Sequence, residues 1–411
     1  YAGGIAAYMS SVSEDDGRYA MILNSNVVGG SVSANGYVGG IAGFAAGRIL
    51  GSTNSARVYF ANDSLKENDP NSYVYIGGIA GYSKTGRGTA IASCVNHGDV
   101  EIESPYMQTY AGGIAGSVLG NMENLQNYGK VTAKVLFASD TAKSFWSSIA
   151  VVGGIAGAHL LHVDQSSDNR DFLNAGNVLG VLDNRIEKGK LMVGGIVGES
   201  DKASLTNALN RGSVTAYGFG KLTETYVGGD IGWTELHVYS NGLTKLRNRG
   251  DVYGSGTFRT HVGGVVGSME GPFLKEPGLR QSFNYGDVTG VVADTSSESE
   301  ALNVGGIAGY CNAVVISDVY NRGKLLAEGK LSYGDSYVGG ILGLSRYPSA
   351  YVANAYSASP SLKGDSVGGV VGYALDIDAP RNTYFDKTLA SVKAAGKNYN
   401  EIDYPESEKK R

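Results

Sequence analysis

The stretch Val152-Gly-Gly-Ile-Ala-Gly157 decides the fold of this chain, because close copies of it recur along the whole sequence. Residues 193–198 read Val-Gly-Gly-Ile-Val-Gly, and residues 262–267 read Val-Gly-Gly-Val-Val-Gly. The first Gly of the motif falls at positions 3, 39, 77, 112, 153, 194, 228, 263, 305, 339 and 368. Repetition at a period of about 36 residues predicts an architecture of stacked repeats.

A second motif, Asn-x-Gly followed by a polar residue and Val or Leu, alternates with the first. It begins at Asn96, Asn127, Asn174, Asn210, Asn248, Asn284 and Asn321, with weaker copies at Asn54 and Asn354. Asn and Gly both tolerate positive φ, so this motif predicts a tight corner between short strands. The paired Gly residues of the first motif, set beside β-branched residues, indicate a strand that passes close to another backbone.

The composition favours a β protein punctuated by glycine. The 411 residues include 62 Gly but only 8 Pro, without a three-residue Gly period, and this excludes collagen. Apolar residues make up 42% of the chain, which is too many for a disordered one. A mainly helical protein is disfavoured, because each Gly inside a helix costs about 0.5–1 kcal/mol relative to Ala.

These observations predict an all-β parallel β-helix, or β-solenoid, of about eleven Gly-rich repeats of ~36 residues. Right-handed winding is favoured by the general handedness of parallel crossovers. A propeller is the rival fold, since its blades repeat at a similar length, but too few hairpin turn pairs are present for four antiparallel strands per repeat. The number of coils per repeat stays open. The solenoid is expected over residues 1–386 and a C-terminal cap or linker over residues 387–411.

The segments VGGIAG, VGGIVG and VGGVVG, together with NxG(D/K/S)V, resemble GLUG-type repeats. Such repeats occur in large secreted or surface proteins of bacteria, including adhesin-like proteins and the N-terminal region of immunoglobulin-A-specific metallopeptidases. The resemblance implies an extracellular, cell-surface or secreted location. Because the chain begins inside a motif, at Tyr1-Ala-Gly-Gly-Ile5, we also expect it to be part of a longer polypeptide with further domains.

Charge and hydrophobicity disfavour two classes of partner. The formal net charge is −5, and only the last three residues form a basic run, so nucleic-acid binding through a positive face is not expected. No apolar run reaches the 18 residues that would predict a membrane-spanning helix. Cys94 and Cys311 lie far apart in different motif contexts and are predicted to be buried free thiols.

Sequence motifs of catalysis are absent. The chain has no HExxH, Walker loop, GxSxG or CxxC, and neither a cofactor nor a metal is predicted. His159 and His162, with Asp164 nearby, are conceivable metal ligands, but a polar loop after the Gly motif is the preferred interpretation.

Repeated aspartates raise the question of a calcium ladder. Asp99, Asp251 and Asp287 follow Asn-x-Gly, and carboxylates are ligands that Ca²⁺ prefers. The equivalent positions of other repeats carry Lys130 and Lys324, which a cation ladder would not tolerate. A calcium site is therefore disfavoured.

Aromatic residues recur at two places in the first motif, two residues before the first Gly and five after it. Stacked repeats would align them into ladders, and Tyr8, Phe44 and Tyr82 would form the most contiguous patch. Such ladders either cover the edge of the core or form a binding face, since Tyr and Trp are enriched at surfaces that are half apolar and half wet.

One residue breaks the motif. Asp230 stands where the other repeats carry Ile or Val, and Trp233 follows it. A charge at a core position is costly unless it is paired. Either a small polar site with a sugar-stacking Trp lies here, or a local bulge turns Asp230 outward, and the bulge is preferred.

The sequence as a whole predicts a non-enzymatic extracellular adhesion or spacer module that binds a host or neighbour-cell protein or glycan. Tyr8, Phe44, Tyr82, Asp230 and Trp233 are the candidate ligand-binding residues. One alternative is an accessory, substrate-positioning region of a secreted, immunoglobulin-cleaving-like metallopeptidase. A second is a β-helical polysaccharide-degrading enzyme, which would need acidic and basic residues from adjacent coils gathered in one groove.

Overall fold

The computed structural model is built from parallel β-strands throughout its described part. The structure describes residues 1–10, 20–61, 73–104, 108–136, 148–160, 169–183, 188–202, 204–237, 240–271, 277–293, 299–346, 351–375, 381–388 and 392–398. Rows of strands stack in two sheets, one of 33 strands and one of 10. The predicted all-β parallel solenoid is thereby confirmed.

Each coil contributes four short stretches of strand, which we call rows A to D in chain order. Row A precedes the Gly pair: Ala2–Gly3, Tyr37–Gly39, Tyr73–Gly77, Gln108–Gly112, Ser148–Gly153, Lys188–Gly194, Leu222–Gly228, Arg259–Gly263, Ala301–Gly305, Ser336–Gly339 and the start of Ser366–Leu375. Row B follows the Gly pair: Ala6–Met9, Ala42–Leu50, Ala80–Ala92, Ala115–Asn127, Ala156–Leu160, Val197–Asp201, Ile231–Glu235, Val266–Glu270, Ala308–Asn312, Leu342–Arg346 and the end of Ser366–Leu375.

Rows C and D lie on either side of the Asn-x-Gly motif. Row C precedes it: Ala20–Leu23, Asn26–Val27, Thr53–Asn54, Val95–Asn96, the end of Ala115–Asn127, Asn169–Asn174, Leu205–Asn210, Leu243–Asn248, Pro277–Asn284, Val315–Asn321, Val352–Ser357 and Arg381–Phe385. Row D follows it: Ser31–Ala34, Arg57–Phe60, Val100–Ser104, Val131–Leu136, Val178–Asp183, Val214–Phe219, Val252–Gly256, Val288–Val292, Leu325–Glu328 and Leu362–Lys363.

One repeat makes one coil. Gly77 pairs with Gly112 in the next repeat, and Gly112 with Gly153 in the one after, both in parallel register. Equivalent residues therefore lie one above the other at the strand spacing of about 4.8 Å. Pairing of this kind between successive repeats also rules out the rival propeller, whose blades are antiparallel.

The asparagines of the second motif form a buried ladder along the solenoid. From Asn54 to Asn284, each Nδ2 donates to Oδ1 of the next ladder asparagine at 2.8–2.9 Å. Each Nδ2, including that of Asn321, also donates to the carbonyl oxygen two residues ahead, which belongs to Ala56 in the first case and to a Gly in the others. The ladder runs through Asn54, Asn96, Asn127, Asn174, Asn210, Asn248, Asn284 and Asn321. Buried amides are thus paired to one another, as burial requires.

The two weaker copies of that motif have different outcomes. Asn54 is the first member of the ladder. The copy predicted at Asn354 is wrong, because Ser357 pairs with Asn321 in the ladder register and Asn354 lies outside it. Phe385 pairs with Ser357 in turn and covers this end of the ladder.

Glycine is required in both motifs by crowding. A Cβ on Gly129 would meet the carbonyl oxygen of Gly98 in the coil before it, and a Cβ on Gly98 would meet that of Ala56. The expected positive φ is not found, since these two glycines are not among the residues of left-handed conformation. The close approach predicted for the Gly pair is confirmed as well, since a Cβ on Gly113 would meet the carbonyl oxygen of Gly154 in the next coil.

Left-handed backbone occurs instead three residues before the ladder position of each coil. The residues there are Asn24, Gly51, Ser93, Asn124, Asp171, Asn207, Lys245, Gln281, Asp318, Asn354 and Asn382, with φ between 46° and 64°. Asn, Asp and Gly adopt this conformation most readily, which explains their frequency in the row. This left-handed residue bends the chain of row C shortly before the ladder position.

The interior divides into two apolar clusters on either side of the Gly pair. Ile41 and its equivalents pack with row C, whereas Val38 and its equivalents pack with row D. Cys94 and Cys311 are buried free thiols, as predicted, and burial raises their pKa values to about 11 and about 12. The strand Lys393–Asn398 pairs in parallel with Ser366–Leu375 and covers the last coil of rows A and B.

Candidate functional site

A groove runs along the outside of the solenoid where rows A and B meet at the Gly pair. The chain bends there, so that outward side chains of the two rows face each other. In one coil the rings of Tyr75 and Tyr82 are 5.2 Å apart and lie edge to face. In another the rings of Tyr1 and Tyr8 are 5.5 Å apart in the same arrangement. The aromatic positions singled out in the sequence are therefore the lining of this groove.

In the N-terminal repeats, the row B side of the groove is a ladder of stacked rings. Tyr8 and Phe44 stack at 4.9 Å, and Phe44 and Tyr82 stack at 5.5 Å. Tyr8 is 55% exposed, whereas Phe44 and Tyr82 are partly buried. The predicted alignment of these three residues is observed, and their role in binding stays a prediction.

The row A side carries a second, deeper ladder. Tyr1, Tyr37, Tyr75 and Tyr110 stack at centroid distances of 4.8–5.0 Å. Burial raises the pKa values of Tyr75 and Tyr110 well above their ordinary range. These phenols are neutral at physiological pH, and the N-terminal part of the groove is an apolar aromatic surface.

The middle of the groove is filled by its own side chains. Val151, Ala158, Met192 and Tyr226 form a third buried cluster, against which Trp233 packs.

Glu199 stands in the same part of the groove. Burial raises its pKa to about 7, the charge of Asp201 adds to the rise, and Lys190 opposes it. A carboxyl group with this pKa can exchange a proton near neutral pH.

The C-terminal part of the groove opens into a cavity of about 640 Å³. Small side chains create it. Ser268 pairs with Trp233 in the coil before it and with Tyr310 in the coil after it. Asn303 pairs in the same way with His261 and Tyr337. Rings fill the equivalent places in the N-terminal repeats. Replacement of rings by a serine and an asparagine leaves the space empty.

Charged side chains of both signs line this cavity. Arg259 contacts Glu224 at 3.3 Å and Glu300 at 2.6 Å, and Lys190 lies 3.8 Å from Glu224. Burial and the neighbouring carboxylate of Glu224 raise the pKa of Tyr226 well above its ordinary range. These groups come from four successive coils. The structure thus gathers acidic and basic residues in one groove, a grouping that could not be seen in the sequence.

His261 lies on the wall of the cavity between two tyrosines. Its ring stacks on Tyr310 at 4.8 Å and lies 5.3 Å from Tyr226. Burial, with the nearby charge of Arg259 acting in the same direction, lowers its pKa to about 3. The imidazole is neutral at physiological pH and can act as both a donor and an acceptor of hydrogen bonds.

Asp230 and Trp233 do not form a joint site. Asp230 is fully buried, its N–H donates to Val265 O at 2.9 Å, and its carbonyl accepts from Ile196 N–H at 2.8 Å. The backbone therefore follows the regular register, and the preferred bulge is wrong. Asp230 points into the core, whereas Trp233 lies in the groove.

The carboxyl group of Asp230 has no hydrogen-bond partner among the described residues. Burial raises its pKa well above the ordinary value, although Arg247 and the backbone N–H of Asn210 act in the opposite direction. The buried site therefore favours the neutral form of this carboxyl group. Its position in the core gives it no access to a ligand.

The histidines considered as metal ligands are only partly described. His159 is buried, its Nε2 lies 3.0 Å from Gly120 O, and burial lowers its pKa to about 4. His162 and Asp164 lie outside the described residues. Within the described ranges, no three His, Cys, Asp or Glu side chains are grouped so that they could hold a metal ion.

The aspartates after Asn-x-Gly link neighbouring coils. Oδ1 of Asp99 accepts a hydrogen bond from Lys130 N–H at 2.8 Å, and Oδ1 of Asp287 accepts one from Lys324 N–H at 2.9 Å. Asp251 accepts from Asp287 N–H at 2.9 Å. A structural role thus accounts for the carboxylates that raised the question of calcium.

The sequence reasoning missed a second aromatic surface, on the outside of row C. Tyr320 stacks on Tyr356 at 5.6 Å, and Phe283 lies 4.6 Å from Tyr285. Arg249 lies over the ring of Tyr285 at 5.8 Å. The signal was the recurrence of aromatic and Arg residues immediately beside the ladder asparagines.

Comparison with models of protein families, with curated proteins and with solved structures returns no match. The stacked parallel repeat is established by the structure itself. The likeness to GLUG-type repeats remains one of motifs. In the described ranges, no helix is long and apolar enough to cross a membrane.

Proposed function

We propose that this chain is a rod-shaped adhesion and spacer module, without catalytic activity, of a larger bacterial surface or secreted protein. The N-terminal aromatic ladder of the groove contacts an extracellular protein or glycan of a host or neighbouring cell. The stacked coils hold this surface and adjoining domains away from the cell.

The observation that carries the proposal is the stacked ladder of Tyr8, Phe44 and Tyr82 on the outside of the solenoid. Large rings at half-apolar surfaces supply much of the binding energy of protein interfaces and also stack on sugars. The parallel pairing of successive coils fixes the spacing of the strands that carry the rings at about 4.8 Å, so the surface is ordered before a partner arrives.

The test is a binding array that carries glycans, matrix proteins and immunoglobulins. The wild-type chain is compared with the triple variant Tyr8→Ala/Phe44→Ala/Tyr82→Ala. Loss of a glycan or matrix signal in this variant supports the proposal. The matched control is Tyr320→Ala/Tyr356→Ala, which removes stacked rings from row C and should leave the signal unchanged. The absence of any signal, or a signal indifferent to the triple variant, contradicts an adhesive ladder.

The accessory region of an immunoglobulin-cleaving-like metallopeptidase is distinguished by the same array. Binding to immunoglobulin alone would favour it over an adhesin.

The cavity in the C-terminal repeats favours a second candidate function, that of a polysaccharide-degrading enzyme. Glu224, Glu270 and Glu300 line it together with Lys190 and Arg259. Paired carboxyl groups are the usual means of glycoside hydrolysis. Release of reducing ends from a polysaccharide, lost in Glu270→Gln, would support this candidate. A lack of release by the wild-type chain across neutral and acidic polysaccharides would exclude it.

A further inference from the structure

The C-terminal cavity is a separate compartment of the groove with its own chemistry. Side chains of the filled middle, among them Met192 and Tyr226, separate it from the N-terminal ladder. The N-terminal ladder is a row of stacked rings, whereas the cavity combines rings with polar and charged side chains. A ligand for this compartment must satisfy both kinds of group.

Buried polar atoms in the cavity wall lack partners. Ser268 Oγ, Asn303 Oδ1 and His261 Nδ1 have no hydrogen-bond partner among the described residues, and all three residues are less than 10% exposed. A buried polar atom without a partner destabilises the folded chain, and a ligand that supplies the partner removes this cost. Three such atoms lining one space point to a ligand that carries several hydrogen-bonding groups.

Aromatic faces form the walls beside these atoms. Tyr337 and Tyr373 stack at 4.7 Å, and His261 and Tyr310 stack at 4.8 Å on the other side of Asn303. Such rings offer apolar faces together with hydroxyl groups at their edges. A pyranose ring presents the complementary surface, with C–H groups on its face and hydroxyl groups around its edge.

The charges of the wall are balanced. Lys190, Arg259 and Arg346 are matched by Glu224, Glu270 and Glu300. Arg259 already contacts two of these carboxylates. A polyanion would be repelled by the three glutamates, and a polycation would be repelled by the basic groups, so a neutral ligand fits best.

We infer that the cavity over the last six repeats binds a neutral oligosaccharide, stacked on the tyrosines and hydrogen-bonded to Ser268, Asn303 and His261. The inference goes beyond the proposed function, because it concerns the other end of the same groove. It uses residues distant from Tyr8, Phe44 and Tyr82, so either site can fail without the other.

The test uses isothermal titration calorimetry with three neutral hexasaccharides, namely cellohexaose, mannohexaose and chitohexaose, and with a galacturonic acid hexamer. We expect the wild-type chain to bind at least one neutral hexasaccharide and to bind the acidic hexamer at least tenfold more weakly. Ser268→Tyr restores the ring that other repeats carry and should reduce binding at least tenfold while the chain stays folded. Tyr310→Ala removes a stacking wall and should weaken binding by a similar factor.

Tyr82→Ala is the matched control, because it removes a ring from the same groove outside the cavity. It should change the binding constant less than twofold. Circular dichroism checks the fold of each variant. The inference is overturned if no neutral hexasaccharide binds, if the acidic hexamer binds more tightly, or if folded Ser268→Tyr binds like the wild type.

Discussion

Gly113 packs directly against the side-chain amide of Asn127. A Cβ on Gly113 would lie 2.5 Å from Nδ2 of Asn127, too close for any real contact. The same relationship joins Gly78 to Asn96, Gly195 to Asn210 and Gly264 to Asn284. The two sequence motifs are therefore two halves of one packing unit, in which the second Gly of the pair makes room for the ladder asparagine.

This contact predicts a large cost for Gly113→Ala. The added methyl must displace either the Asn127 amide or the carbonyl oxygen of Gly154, and overpacking of this kind costs about 1–3 kcal/mol or more. The measurement is the midpoint of thermal unfolding followed by circular dichroism. Gly36→Ala is the control, because nothing lies within 4 Å of a Cβ there. Equal midpoints for the two variants would contradict the packing unit.

The ladder predicts that Asn174→Asp is destabilising in a pH-dependent way. Nδ2 of Asn174 donates to Gly176 O at 2.7 Å and to Asn210 Oδ1 at 2.9 Å. A carboxylate at this place would face two acceptor oxygens in a buried site, at a cost of about 3–5 kcal/mol. Protonation restores a donor, so the deficit should shrink as the pH falls from 7 to 4.

Asn177→Asp is the control for this variant. Asn177 is exposed, and its Oδ1 accepts a hydrogen bond from Ser213 N–H at 3.0 Å. Asp99 and Asp251 make the same bond in other coils. The free energy of unfolding of the control should therefore lie within about 0.5 kcal/mol of the wild-type value. If Asn174→Asp has the same free energy of unfolding as this control, the hydrogen bonds of the ladder make no measurable contribution to stability.

Extension of the ladder should stabilise the chain. Ser357 occupies the ladder position after Asn321, and its Oγ has no hydrogen-bond partner among the described residues. Ser357→Asn would supply an Oδ1 to accept from Nδ2 of Asn321. One net hydrogen bond is worth about 0.5–1.5 kcal/mol. Calorimetry should show a higher unfolding temperature, whereas a lower one would mean that Phe385 leaves no room.

Replacement of Asp230 by valine should increase stability and change its pH dependence. The pKa of Asp230 is raised in the folded chain, so its unfolded form loses the proton at a lower pH. Between these two pKa values the unfolded state binds fewer protons than the folded state. The contribution of Asp230 to the free energy of unfolding therefore falls by up to about 1.4 kcal/mol per pH unit as the pH rises. In Asp230→Val this contribution disappears.

The measurement is the difference in unfolding free energy between Asp230→Val and the wild type from pH 4 to pH 8. The difference should grow with pH and favour the variant. Asp230→Asn keeps the shape of the side chain but cannot ionise. Its difference in unfolding free energy from the wild type should grow with pH in the same way, but it should be smaller because an amide gains less stability from burial than valine. A difference that does not change with pH would mean that Asp230 ionises freely in the folded chain.

The sequence alone determined the repeat, and with it the fold class and the positions that are buried or aligned. Two alternating motifs at a fixed period can bury their apolar residues only by stacking, so the all-β parallel solenoid followed from the spacing of the Gly pairs. The burial of Cys94 and Cys311 followed as well, since both lie among apolar repeat positions. The alignment of Tyr8, Phe44 and Tyr82 needed only the assumption of one coil per repeat.

Only the tertiary structure decided those features of a residue that depend on its contacts with the coils above and below it. Asn-x-Gly needs its Gly because the carbonyl oxygen of the preceding coil stands where a Cβ would be, and no local preference for φ reveals this. Asp230 stays buried because pairing with both neighbouring coils holds its backbone in register. The C-terminal cavity exists because Ser268 and Asn303, 35 residues apart in the chain, leave space between the rings of adjacent coils. Each of these depends on distances between repeats, which are fixed only when the coils are stacked.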